Sequence, residues 1–176
     1  NKGYYGGALD CHLSDVINCI FVRNYATNEA GAIWSSGGTY VANCTFFNNY
    51  AEKQSIFLNA VTGDYFFNNI FSNNHTGDGS PLFKAYDTIT IANCAFDAPN
   101  TSSLYNLTTG GVFYFNSNNL LGINPMFRDT AVGDLSLLFC SPLIDQGDSM
   151  SLSSLGIETD YEGNSRILGA NIDIGA

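Results

Sequence analysis

Apolar and polar positions along this chain recur with a fixed spacing of 25 residues. Val16-Ile17-Asn18-Cys19-Ile20-Phe21 returns as Val41-Ala42-Asn43-Cys44-Thr45-Phe46. It returns again as Phe66-Phe67-Asn68-Asn69-Ile70-Phe71 and Ile91-Ala92-Asn93-Cys94-Ala95-Phe96, and Asn116-Ser117-Asn118-Asn119-Leu120-Leu121 is a degenerate fifth copy. The leading Asn falls at 18, 43, 68, 93 and 118 without one insertion. Three residues on, the column reads Phe21, Phe46, Phe71, Phe96 and Leu121; six residues on, it reads Asn24, Asn49, Asn74 and Pro99.

A unit this short excludes the tetratricopeptide and ankyrin repeats, and the L-x-x-L-x-L skeleton of leucine-rich repeats is missing. Helical apolar spacing is missing too. What fits is a coil of three short strands in an all-β parallel solenoid, each coil about 4.8 Å from the last, so that equivalent residues stack. Asn18, Asn43, Asn68, Asn93 and Asn118 are expected at an inner corner. Asn tolerates left-handed backbone, and its amide both donates and accepts between coils. A single buried amide without partners costs several kcal/mol, whereas a column can satisfy itself. Phe21, Phe46, Phe71 and Phe96 are expected to form a continuous ring stack. Period-2 alternation turns residues 16, 19 and 21 and their equivalents inward, and the column Ala8, Ile33, Leu58, Phe83 is expected to face the core. Cys19, Cys44 and Cys94 then read as small buried thiols.

Composition agrees with a turn-rich β protein. The chain has 176 residues with 21 Asn and 18 Gly, which suit tight turns, and its charged fraction is 12%, about half the usual ~25%. The net charge of -10 repels a phosphate backbone, so nucleic acid is excluded as a partner. No apolar run approaches the ~20 residues that cross a bilayer, so membrane insertion is not expected. Five cysteines without a C-x-x-C pair argue against a zinc site and against a disulfide framework.

The repeat ends at Leu121. Residues 1–121 are read as about five coils, and 122–176 as a final irregular coil and C-terminal cap. Gly6-Gly7-Ala8-Leu9 is in phase from the outset, so the N-terminal end is expected to be uncapped. It would receive upstream coils of the same protein or another copy of it.

Catalytic constellations are missing from the pattern, and no catalytic residue is assigned. His12 and His75 fall on different corners, which argues against a shared metal site or triad. Asp64 and Asp87 are the best carboxylate pair on neighbouring coils for a glycosidase-like reaction. Asp160-Tyr161-Glu162-Gly163-Asn164 alternates oxygen ligands as calcium loops do, with Asp145, Asp148 and Asp173 able to converge on it. Calcium is therefore the one conceivable cofactor, and the simpler reading is a structural turn with no cofactor or metal. Outward aromatics are the ligand-binding candidates: Trp34, Tyr40, Tyr65, Tyr25 and Tyr50. They either present a face to glycans or another partner, or shield neighbouring strands by cross-strand packing.

The phased elements Gly6-Gly7-Ala8-Leu9, Asn43-Cys44-Thr45-Phe46 and Phe21-Val22-Arg23-Asn24 resemble the repeats of right-handed parallel β-helix proteins, including bacterial polymorphic outer-membrane adhesins. The tail carries Asn124-Pro125-Met126-Phe127, Gly133-Asp134-Leu135-Ser136-Leu137, Ser141-Pro142-Leu143-Ile144-Asp145-Gln146-Gly147, Asp160-Tyr161-Glu162-Gly163-Asn164-Ser165-Arg166 and Ile172-Asp173-Ile174-Gly175-Ala176. This order resembles the ending of choice-of-anchor Q domain proteins in the pectin-lyase-like superfamily. The resemblance implies a right-handed β-helix, secreted or at the cell surface. The expected function is an extracellular structural or adhesive module, able to assemble end to end. The alternative is a carbohydrate-binding or polysaccharide-degrading module, lyase- or hydrolase-like, since that superfamily contains such enzymes.

Overall fold

Each 25-residue unit bends four times per turn, so it contributes four short strands rather than the three expected. The computed structural model describes residues 1–53, 55–59, 63–105, 110–149 and 155–176. The first coil holds β1 (Lys2–Tyr5), β2 (Leu9–Cys11), β3 (Asp15–Ile17) and β4 (Ile20–Val22). The second holds β5 (Tyr25–Glu29), β6 (Ile33–Ser35), β7 (Tyr40–Ala42) and β8 (Thr45–Phe47). The third holds β9 (Tyr50–Ala51), β10 (Phe57–Asn59), β11 (Asp64–Phe67) and β12 (Ile70–Ser72). The fourth holds β13 (His75–Thr76), β14 (Phe83–Ala85), β15 (Thr88–Ala92) and β16 (Ala95–Phe96), and β17 (Val112–Phe115) begins a partial fifth.

Equivalent strands of successive coils pair in parallel and form four sheets, the third of which gains β17 as a fifth strand. The chain is therefore a parallel β-solenoid of about four turns. The 25-residue register holds through the first four strands of the third sheet and through the fourth, as in Val16↔Val41↔Phe66↔Ile91 and Phe21↔Phe46↔Phe71↔Phe96, and shortens to 24 at Ile91↔Phe115. It slips in the second. There the inward column is Leu9↔Ile33↔Phe57↔Phe83, not Ala8, Ile33, Leu58, Phe83. The steps are 24, 24 and 26 residues because the corners before and after that sheet differ in length. Leu58 pairs with Trp34 and Lys84 on the outer side of the sheet, yet is only 2% exposed.

The ring column is as expected. Phe21, Phe46, Phe71 and Phe96 stack with centroids 4.7, 5.0 and 4.8 Å apart and planes within 9°. Phe57 meets Phe46 and Phe71 edge-on at 4.6 and 5.3 Å. Face-to-edge contact of that kind suits the ring quadrupole.

The amide ladder is displaced from its expected place. Asn18, Asn43, Asn68 and Asn93 all hold φ between 51° and 54°, the left-handed conformation that turns the corner into the fourth sheet. Among the described residues no hydrogen bond joins their amides to one another. Asn118 leaves the column: it lies exposed in a turn, its N–H donating to Asn116 Oδ1. The inter-coil amides sit one and six residues further on. Asn49 accepts from the backbone N and Nδ2 of Asn24 through Oδ1, at 3.0 and 2.8 Å, and donates through Nδ2 to Phe21 O and Asn74 Oδ1, each at 2.9 Å. All four of its hydrogen-bonding positions are filled.

In the other column Cys and Asn do the same work. Asn69 accepts from Cys44 N at 2.9 Å and donates to Val41 O, 28 residues back, at 2.8 Å. Cys44 accepts from Cys19 N and donates to Val16 O or Ala42 O, while Cys94 accepts from Asn69 N and donates to Phe66 O or Ala92 O. Asn119 closes the series by accepting from Cys94 N and donating to Ile91 O.

Tight stacking also explains the G-G-A motif. A Cβ on Gly7 would collide with Gly31 O, and one on Gly31 with Tyr50 O, so the coils approach there only without side chains.

The C-terminal segment lies along a flank of the coils, not across one end. An antiparallel hairpin of β18 (Phe127–Asp129) and β19 (Asp134–Leu137) leads it back toward the first coil, where Arg23 Nη2 donates to Thr130 O at 3.1 Å. Phe127 packs edge-on against Phe47 at 5.7 Å. Leu143 and Ile174 bury against Ile70 and Ala95 on the outer face of the fourth sheet. That sheet is apolar on both faces, as Ile20-Phe21-Val22 and Ile70-Phe71 show, because one face meets the core and the other the tail. The C-terminal end of the coils is closed separately, by bridges Phe83↔Tyr105 and Ala95↔Leu120 and by fully buried Leu104.

Asn69→Leu should cost roughly 1–3 kcal/mol in denaturant unfolding, because it leaves the buried Cys44 N–H without its acceptor. Asn69→Cys should cost under ~1.5 kcal/mol, since a thiol fills that role in the coils on either side. Equal losses in the two variants would refute the interchange.

Candidate functional site

Two regions carry polar groups that the solenoid itself leaves unfinished. The first is the open face of the first coil. Every interior ladder position receives bonds from both sides, but β1 to β4 have a neighbouring coil on one side only. Asn24 occupies the position of Asn49, yet among the described residues its Oδ1 meets only the Asn1 amino group, at 3.4 Å. Leu9, Val16 and Phe21 line an open depression there, together with Cys11 and Cys19.

The thiols around this face differ by environment. The adjacent Cys44 thiol holds Cys19 down to about 6, outweighing the burial that raises it. Burial drives Cys44 well above the ordinary thiol value. Cys94 is pushed up to about 12, again by burial. Thiolate is the reactive form, so Cys19 combines partial exposure with a readily lost proton.

The second region lies under the tail. Arg166 is 7% exposed. Its Nη2 donates to Asn18 Oδ1 and Gly175 O at 2.7 Å each, and to Asn43 O at 3.4 Å. Asn18 Nδ2 donates to Thr159 O, Asn68 Nδ2 to Asp148 O, and Asp148 N to Asn68 Oδ1. The corner Asn column is thus the rail on which the tail docks. Asn43, fully buried between them, has neither end of its amide hydrogen-bonded among the described residues. Burial lowers the Arg166 pKa, while Asp160, Cys44 and Asp173 push it back up; guanidinium stays charged at any ordinary pH.

The aromatic candidates fall into separate groups. Tyr40 and Tyr65 stack on each other at 4.7 Å and 10° on the outside of the third sheet. Tyr25 and Tyr50 stack at 5.5 Å on the first, with Lys2 over the Tyr25 ring and the Tyr25 hydroxyl bonded to Glu52. Trp34 stands on the second sheet, edge-on to Tyr5 at 4.6 Å. The ring faces of both Tyr pairs are turned toward each other and their edges outward, an arrangement that packs neighbouring strands.

The carboxylate candidates do not converge. Asp64 is 2% exposed and accepts from Ser35 Oγ and Thr39 N, whereas Asp87 is exposed. In the loop expected as a turn or calcium site, Asp160 Oδ1 accepts from Glu162 N and Asn164 N and its Oδ2 from Asn164 Nδ2, so the carboxylate closes the turn. Among the described residues no three His, Cys, Asp or Glu side chains gather for a metal ion, and no helix is long and apolar enough to cross a membrane.

Sequence reasoning missed Arg166. Its signal was there: one Arg in a segment poor in basic residues, next to an Asx turn. Comparison with protein-family models, with curated proteins and with solved structures finds no match to this chain.

At neutral pH a maleimide should label Cys19 faster than exposed Cys140, and buried Cys44 and Cys94 should lag far behind, as peptide mass mapping would read out. Cys19 labelling should fall as the pH drops below about 6. Parity between Cys19 and Cys140 at neutral pH would remove the thiolate assignment.

Proposed function

We propose that this chain is a structural or adhesive module of an extracellular β-solenoid, and that its first coil receives a further parallel coil from the same polypeptide. The observation that carries this is the unfinished ladder at Asn24 and Cys19. The ladder has a direction: a backbone N–H in one coil donates to the side chain 25 residues later, as from Asn24 to Asn49. Asn24 Oδ1 and Cys19 Sγ therefore face the side where a preceding coil would place its N–H groups. The opposite end of a second copy fits this side poorly. There the Asn24–Asn49–Asn74 column ends at Pro99, which has no N–H to donate.

An extracellular placement is supported by the likeness of the tail motifs to choice-of-anchor Q domain proteins. A role in chemistry draws no support from Asp64, which is buried and accepts from Ser35 and Thr39, or from Asp160, whose carboxylate closes its own turn. The outward Tyr pairs, with their faces closed on each other, favour shielding of the rod over sugar stacking.

Hydrogen exchange tests the stacking. In the isolated 176-residue chain the amides of β3 and β4 should exchange faster than those of β7 and β8. In the full-length polypeptide, as its source makes it, the two sets should be equally protected. Rapid exchange of β3 and β4 in the full-length polypeptide would overturn the proposal. Protection that appears in the isolated chain only as its concentration rises would assign the end to a second copy. Recovery of the polypeptide solely from inside cells would sink the extracellular placement.

A further inference from the structure

The tail and the outer face of the fourth sheet enclose a cavity of about 190 Å³. Drug-sized ligands fill roughly 300–1,000 Å³, so this space suits a single small ring. Its lining is half polar in character and electrically mixed, and its protein partners leave several groups unspent.

Arg166 lines the cavity. With Nη2 consumed by Asn18 and Gly175 and Nε sealed away from any solvent-filled space, Nη1 is the donor left for a ligand; it makes no hydrogen bond among the described residues. A buried guanidinium donor without an acceptor costs about 1–3 kcal/mol or more. Asp173 also lines the space; its Oδ1 accepts from Asp145 N at 2.9 Å, and its Oδ2 makes no bond among the described residues. Asp160 and Glu162 complete the charged lining. Leu135, Leu137 and Ile174 form an apolar wall.

Charge decides the ligand class. Three carboxylates against one guanidinium repel an anion. The same count attracts a cation, but an ammonium carries donors and no acceptor, so it would satisfy Asp173 and leave the Arg166 donor empty. A neutral molecule that both donates and accepts satisfies both groups, and hydroxyls do so while a C–H face lies on the aliphatic wall. We propose that this cavity binds a small neutral polyhydroxylated molecule the size of one pyranose ring. Arg166 donates to one hydroxyl and Asp173 accepts from another. The site is independent of the open first coil and of the outward Tyr pairs.

The test is methyl NMR of the 176-residue chain, following Leu135, Leu137 and Ile174. The probes are glucose, galactose, mannose and N-acetylglucosamine, with glucuronate and spermidine as charged counterparts. At least one neutral sugar should shift these methyls saturably, and neither charged probe should. Asp173→Asn should weaken that binding at least tenfold. Ser165→Trp, at an exposed lining position, should abolish it by filling the mouth, with the resonances of the Phe21–Phe96 stack unchanged to show an intact fold. Absence of a shift with every neutral sugar would mean that water alone satisfies Arg166, and would overturn the proposal. So would preference for a charged probe, or binding that persists in Ser165→Trp.

Discussion

The structure depends on one constraint: most polar groups drawn into a narrow solenoid must find their partners one coil away, and Asn43 is the buried exception among the described residues. Strands of two to five residues leave little backbone per face, so the corners and interior side chains have to complete the hydrogen bonding. Asn49 does this with all four of its positions filled. The stacked Phe rings fill the space between such columns and set the spacing that the amides require. Amide and ring columns are thus mutually dependent, and a defect in one misplaces the other.

Much of this was legible in the sequence, because a repeat without insertions over the third and fourth sheets leaves few foldings open. The Phe column and the parallel coils follow from spacing alone. The location of the amide ladder does not. Asn18 and Asn69 are equally plausible ladder members by composition, and only the corner geometry shows that the first residue of the pairs Asn48-Asn49, Asn68-Asn69 and Asn73-Asn74 turns the chain while the second crosses between coils. Leu58 was misassigned because a one-residue change at a corner inverts the facing of a strand, and the average period conceals it.

The flank was legible only in part. Ile20 and Val22 on either side of Phe21, and Ile70 beside Phe71, imply a strand covered on two faces, which points to a lid over the fourth sheet. That the lid is the tail, running back past three coils and secured by Arg166, rests on contacts between residues as far apart as 80 positions for Asn68 and Asp148 and 148 for Asn18 and Arg166. No local pattern encodes them. The same holds for the cavity, whose walls come from the hairpin, the Asp160 turn and the final residues together.

The flanking tail changes how the rod comes apart. A bare solenoid is nearly one-dimensional: each coil touches only its neighbours, and end coils fray first. Here a single segment touches Arg23 in the first coil, Asn68 in the third and Ala95 in the fourth. It acts as a longitudinal brace, so peeling the outermost coil also requires lifting contacts made several coils away. Loss of structure then becomes a concerted event in place of stepwise unzipping, and resistance to a pull along the axis is shared across the whole stack.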